Sequence, residues 1–149
     1  MRYLILQSVV LVFFVFAVQA HAEVTAKNEP FDTLSRYMIF LEKGDRKKMV
    51  PLYSKYTRPM MEKRSYSDAM MNNEARRLRQ CGTGETIIEG SLAVIKYSSS
   101  QRNCSPYFFT LEESYWRLDF QTMSEVIAFD EQNQWHLDNA LPHPYRFAF

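Results

Sequence analysis

Between residues 31 and 41 the apolar positions Phe31, Leu34, Met38 and Leu41 recur at spacings of three and four, one face of an amphipathic helix with Tyr37 beside the stripe. Pro30 opens this stretch, and Gly44 ends it at the C′ position, where positive φ is easily adopted. Asp45 then caps a second, shorter helix carrying Met49, Leu52, Tyr53 and Tyr56. Pro51 lacks an N–H and marks a kink or early break, and Arg58-Pro59 closes the segment. A third helix is predicted over residues 67–80, with Met71, Ala75 and Leu78 as its apolar stripe and Arg76, Arg77 and Arg79 near its C-terminal end. Cys81-Gly82-Thr83-Gly84 stops it.

After Gly84 the period shortens to two. Residues 86–97 read as one long strand, in which Gly90 marks a bulge or bend of the kind a curved sheet needs. Residues 106–111 form a second strand, Glu112-Glu113-Ser114 a turn, and residues 115–120 a third strand. In the third, Trp116, Leu118 and Phe120 face one side, and Tyr115, Arg117 and Asp119 the other. Residues 123–130 fit a helical turn or a strand equally well; residues 135–137 read as a short last strand before Pro142 and Pro144. Helices followed by antiparallel strands imply an α+β domain, its N-terminal helices packed on one face of a curved sheet. The first strand is apolar on both faces: Ile88, Leu92 and Val94 on one, Ile87, Ala93, Ile95 and Tyr97 on the other. Its outer face therefore needs a cover, which a second subunit or the C-terminal segment folding back can supply.

The first 22 residues read differently. Arg2 precedes an apolar stretch from Leu4 to Val18 broken only by Gln7 and Ser8, and small residues follow at Val18-Gln19-Ala20 and Ala20-His21-Ala22. This is the pattern of a cleaved secretory signal, and the apolar part is shorter than the ~20 residues a bilayer span needs. The expected product is secreted or periplasmic, without a stable membrane anchor. Residues 23–30 form a tether, residues 31–141 one domain, and residues 142–149 a tail.

Export changes the reading of the cysteines. Cys81 and Cys104 form an even pair, which in an oxidising compartment predicts a disulfide. Two thiols without neighbouring His or further Cys make an incomplete metal site. Charge narrows the partners. Without Arg2 the chain carries 17 basic and 17 acidic residues, so nothing favours nucleic acid or an anionic membrane. The charge is nevertheless divided, +5 over residues 23–80 and −5 over residues 81–149. Two oppositely charged solvated surfaces account for this; a basic face that docks an acidic partner is the sharper alternative.

Candidate chemistry is sparse. No zinc-protease, nucleophile-elbow or phosphate-loop motif occurs, and no cofactor or metal is implied. Asn103-Cys104-Ser105 fits a glycosylation sequon. Tyr37, Tyr53 and Tyr56 can present hydroxyls to an interior cavity, although packing with the hydroxyl at the rim is the commoner outcome. Trp116 belongs to the core face. Asp119 is the best general-base candidate, yet strand alternation places it on the exposed face beside Arg117 and Tyr115. His136 sits in the short last strand, and His143 in an exposed tail. Tyr145, Phe147 and Phe149 alternate to the C-terminus, as an edge strand or an aromatic tail that docks.

The order of these elements resembles the nuclear transport factor 2-like superfamily, the cone-shaped α+β fold of ketosteroid isomerases and polyketide cyclases. The resemblance rests on the opening helix, Gly44-Asp45 before a helix ending Leu52-Tyr53-Ser54, and the turn Glu112-Glu113-Ser114 leading into Trp116-Arg117-Leu118-Asp119. It spans residues 31–120; the family usually ends near the Trp-containing strand, so residues 121–149 are an addition. It implies a cavity between sheet and helices, and a sheet face that commonly pairs two subunits. The superfamily holds enzymes, ligand binders and interaction modules, so no catalytic residue is carried over. The expected function is a non-enzymatic, exported domain that binds a small apolar ligand or a partner protein. The alternatives are a small cavity enzyme using Asp119 or His136 with a tyrosine hydroxyl, and an envelope assembly factor acting through the basic half.

Overall fold

The computed structural model describes residues 25–138 and 141–149, so the expected signal segment lies outside the described residues. Five helices and six strands follow one another as α1 (Pro30–Glu42), α2 (Arg46–Met49), α3 (Thr57–Lys63), α4 (Asp68–Cys81), β1 (Glu85–Glu89), β2 (Leu92–Lys96), β3 (Tyr107–Glu112), β4 (Tyr115–Leu118), α5 (Phe120–Val126), β5 (Ile127–Phe129) and β6 (Trp135–Leu137). The class is α+β, helices first and an antiparallel sheet after them.

Local chemistry explains most boundaries. At the end of α1, Asp45 N–H donates to Phe40 C=O (2.9 Å) and Gly44 N–H to Leu41 C=O (3.1 Å), a Schellman closure that requires the φ of +63° at Gly44. Asp45 and Ser67 cap α2 and α4 through their side chains. Pro51 falls in a single 3-10 turn, Val50–Leu52, which ends the second helix early. Arg58-Pro59 does not close the segment as expected. A further helix, α3, begins at Thr57, and Pro59 is tolerated in its first turn, where its missing N–H has no helical acceptor to lose.

The expected single strand over residues 86–97 is a hairpin. β1 and β2 pair antiparallel with Glu89 opposite Leu92, and Gly90 turns the chain at φ +59°. A two-residue loop with positive φ at its first position is the tight link that suits strand twist. The main sheet has the order β1-β2-β3-β4; β5 and β6 form a separate hairpin. Residues 120–129 resolve the ambiguous stretch as helix followed by strand.

Alternation along the central strands creates two cores. Ala93, Ile95, Tyr107, Phe109, Trp116 and Leu118 face α1 and α4, where Leu34, Tyr37, Leu41, Met71, Ala75 and Leu78 meet them. Phe31 of the predicted stripe is exposed and Met38 only half-buried; Thr33 and Tyr37 take the inner face instead, so the buried arc is turned toward Tyr37. Thr33 Oγ1 donates to Trp116 C=O (2.8 Å), locking α1 to β4. On the opposite face Val94 and Phe108 pack with Val126, Tyr145 and Ala148. The C-terminal segment thus folds back over the outer face. The turn at Gly90 also exchanges the expected faces of β1: Ile87, opposite Val94, lies on this outer face and packs on the same cluster, whereas Ile88, opposite Ala93, lies on the helix side at the sheet edge and is 49% exposed. The stretch expected to be a tether is held to the domain as well: Lys27 N–H donates to Ser114 C=O (2.7 Å) and Asn28 Oδ1 accepts from Trp116 N–H (3.0 Å).

Asp119 departs most from expectation. β4 ends at Leu118, so strand alternation no longer governs the next residue. Asp119 becomes the N-cap of α5 and is buried rather than exposed. Its carboxylate accepts from Thr122 N–H (3.2 Å), Thr122 Oγ1 (2.8 Å) and Tyr145 Oη (2.8 Å). The Tyr145 ring also stacks on Phe108, with centroids 4.4 Å apart. Burial and the Asp119 charge both push the Tyr145 hydroxyl far above its ordinary pKa, keeping it a donor. Tyr145→Phe removes the donor and leaves the Asp119 carboxylate one bond short in a buried site. A loss of about 1–3 kcal/mol is expected in urea unfolding. Tyr145→Ala adds a cavity beside Phe108 and costs more, about 3–5 kcal/mol. Equal stability of the Phe variant and the parent would show that this bond does not hold the C-terminal segment.

Candidate functional site

The helical pattern of α4 carries two stripes. Met71, Ala75 and Leu78 enter the core. One step round the helix, Met70, Asn73, Glu74, Arg77 and Cys81 line a cavity of about 510 Å³. The facing wall is α5 and its exit, through Phe120, Met123, Ser124 and Ile127 at spacings of three and four. Tyr37 and Tyr107 form the floor. Arg64 and Tyr66, in the link between α3 and α4, close one side; Asn103, Cys104 and Ser105 close the other. Arg64, Asn73, Arg77, Asn103 and Ser124 are exposed, so the cavity opens to solvent along a polar rim.

A covalent bond sets its end wall. Cys81 and Cys104 form the predicted disulfide, with Cα atoms 5.7 Å apart. It fastens the end of α4 to the residue 98–106 loop, and both half-cystines face the cavity.

Glu74 is the polar centre. Tyr37 Oη donates to its Oε1 at 2.9 Å. Burial of its carboxyl raises the Glu74 pKa; the Tyr37 bond and the Arg64 and Arg77 charges pull it back only in part. Tyr37 and Tyr107 are pushed well above the ordinary phenol range, chiefly by burial and then by Glu74. Tyr37, Tyr53 and Phe120 form a ring triangle with centroid separations of 5.4–6.0 Å, which fixes the Tyr37 ring from behind. Tyr66 is 5% exposed, and its hydroxyl has no hydrogen-bond partner among the described residues. The Arg64 guanidinium lies 5.1 Å from the centroid of the same ring. The arrangement can therefore hold an apolar body between two helices while offering an acid of raised pKa, phenol hydroxyls and two guanidinium groups to a polar one.

Of the residues singled out from the sequence, Tyr37, Cys81 and Cys104 line the cavity. Tyr53 stands behind Tyr37, and Trp116 is buried in the core between α1 and the sheet. Tyr56 is 66% exposed under Lys55, whose Nζ sits 4.8 Å from its centroid. His136 is exposed on β6 opposite Ala128. Asp119 belongs to the second core, with its carboxylate bonded to Thr122 and Tyr145. His143 is half-buried rather than exposed, its ring nearly parallel to Phe108 at 6.0 Å, and burial lowers its pKa. Glu74, Arg64 and Tyr66 are not singled out from the sequence, and Arg77 is placed there only as a charge near a helix end. The trace left by Glu74 and Arg77 is one of spacing alone: residues 70, 73, 74, 77 and 81 share one helical face that ends on a half-cystine.

No protein-family model, curated protein or solved structure matches this chain.

The bridge closes a loop with a sequence separation of 23, so its loss costs about 3 kcal/mol in the chain-entropy description. A drop of that size in the unfolding free energy is expected when Cys81 and Cys104 are both replaced by Ala. A double variant as stable as the parent would remove the bridge from the account of the end wall.

Glu74 gives a pH signature. Above the unfolded-chain carboxyl pKa of about 4.3, the folded protein retains the Glu74 proton longer than the unfolded chain does. Stability conferred by that proton is full at low pH and declines as pH rises through the elevated folded-state value. His143 contributes the opposite slope near pH ~6, because its folded pKa is lowered and protonation favours unfolding there. Comparing parent with Glu74→Gln cancels the histidine term. The variant should lack the decline and be the more stable of the two at neutral pH, read from urea midpoints between about pH 4 and about pH 8. Parallel profiles would mean that Glu74 titrates normally.

Proposed function

We propose that this chain is an exported, non-enzymatic α+β domain that binds a small, largely apolar ligand between α4 and α5. One observation carries the reading. Two helices present stripes at spacings of three and four to a common cavity of about 510 Å³, floored by aromatic rings and rimmed by polar side chains. That volume lies inside the roughly 300–1,000 Å³ typical of small-molecule sites, and the mixture of apolar wall and few polar groups is typical too. A cavity between helices and sheet is also what the resemblance to the nuclear transport factor 2-like superfamily implies.

Export is supported by the leader pattern and by the disulfide, which suits an oxidising compartment. The enzyme alternative loses its named residues, since Asp119 and His136 stand away from the cavity. A turnover would have to be built around Glu74, and neither a second carboxylate nor a histidine to activate Ser105 or Ser124 stands among the lining residues.

Asn73 sits exposed at the mouth of the cavity on α4, where a larger side chain can enter the opening without displacing core residues. Phenylnaphthylamine, a neutral apolar dye, is expected to bind one-to-one with a fluorescence rise. Asn73→Trp should weaken that binding by about tenfold or more, while its far-ultraviolet circular dichroism stays that of the parent. Dye binding that the tryptophan leaves untouched would sink the cavity as the binding site.

A further inference from the structure

Arg64 follows α3 as its C-cap residue, and Arg77 projects from α4. They come from separate segments to line the same cavity, and both are exposed at its rim. Neither forms an ion pair with a described carboxylate; the ion pairs of α1, α2 and α4 are Arg46–Asp68, Lys48–Asp45 and Arg79–Glu42. The third polar group on this side is Tyr66, whose buried hydroxyl lacks a hydrogen-bond partner among the described residues. A bound acceptor would pair that hydroxyl.

Glu74 is the one carboxylate among the lining residues. Burial, the largest influence on Glu74, raises its pKa, and the Arg64 and Arg77 charges act against that rise. The wall therefore presents two guanidinium groups against a single carboxyl that is already engaged by the Tyr37 hydroxyl. A cation would meet repulsion from both arginines, and a neutral ligand would leave their charge unmatched.

We propose that the ligand is an amphipathic oxyanion, with its apolar body between Leu78, Tyr107, Phe120 and Met123 and its anionic group at Arg64, Arg77 and Tyr66. The inference rests on the ligand-binding reading above and names the ligand's chemical class. Carboxylate, sulfonate and phosphate share the required chemistry: acceptor oxygens and negative charge, which planar guanidinium donors recognise well. A second hollow of similar size, between the residue 81–85 turn and residues 96–101, offers neither an arginine pair nor a facing helix.

A matched pair of dyes tests the proposal. Anilinonaphthalene sulfonate and phenylnaphthylamine share one aromatic body and differ by the sulfonate group. In fluorescence titrations of the purified protein the sulfonate should bind about tenfold tighter, as charge-assisted contacts to two arginines predict. Arg64→Gln with Arg77→Gln should bring the two affinities together, whereas Arg64→Lys with Arg77→Lys keeps the charge and part of the preference. Added salt should weaken the sulfonate and leave the neutral dye unaffected.

Equal affinities on the parent protein would overturn the oxyanion class and leave the cavity reading standing. A preference for the sulfonate that survives the double Gln variant would equally overturn the placement of the anion at these arginines. Failure of both dyes to bind, or binding of both that Asn73→Trp does not disturb, would bring down the cavity reading itself and the inference with it.

Discussion

The fold depends on β3 being buried on both of its faces. Tyr107 and Phe109 point to the helices, and Phe108 points the other way, all three almost inaccessible to water. Successive residues of a strand alternate sides, so a run of three aromatics forces a cover on each face. α1 and α4 supply one cover. The other is assembled from Val126, at the end of α5, and the C-terminal segment, with Tyr145 laid on Phe108. Asp119 makes that second cover specific: it starts α5 as its N-cap and receives the Tyr145 hydroxyl. One carboxylate thus sets both the helix that leaves the sheet and the segment that returns to it.

The cavity is a consequence of this two-sided packing. α5 contributes to both cores: Phe120 meets Tyr37, Tyr53 and Tyr107 on one side, while Val126 packs with Phe108 on the other. A helix that serves two faces cannot lie flat against α4, and the space between them stays open. The disulfide keeps that space from closing by the other route, because it holds the end of α4 against the residue 98–106 loop. Proteins ordinarily pack to near-crystalline density, so an opening of about 510 Å³ bounded by a cross-link is a structural commitment.

Periodicity made much of this readable in advance. The helix opening at Pro30, the one expected over residues 67–80, the cap at Asp45, the α+β order and the cysteine pair all follow from spacing and local chemistry. The failures have physical causes as well. Gly90 served as a turn where a bulge seemed adequate, because a single glycine satisfies either geometry. Asp119 was misplaced by extending strand alternation one residue too far, across a boundary set by its own capping bonds. Glu74 was missed because a half-buried glutamate on an amphipathic helix looks like any solvated one until Tyr37 is found 2.9 Å away. Contacts between α1 and α4 across 37 residues of sequence leave no local trace.

The uneven charge of the chain takes on a different meaning in this light. Its two halves cancel, so the protein as a whole exerts little long-range pull on charged solutes. At the cavity, however, the halves contribute different things. Arg64 and Arg77 come from the basic half, while Tyr107, Phe120 and Met123 come from the acidic half, which supplies none of the lining carboxylates. At the opening the positive character rests on these two arginines, while the other Lys and Arg side chains of the basic half lie outside the lining. Such an arrangement leaves the rate of encounter near its uncharged value and acts on retention, since guanidinium groups at the mouth hold a bound anion through short-range contacts. The division of charge is then a way of placing two arginines at an aromatic opening without making the protein basic.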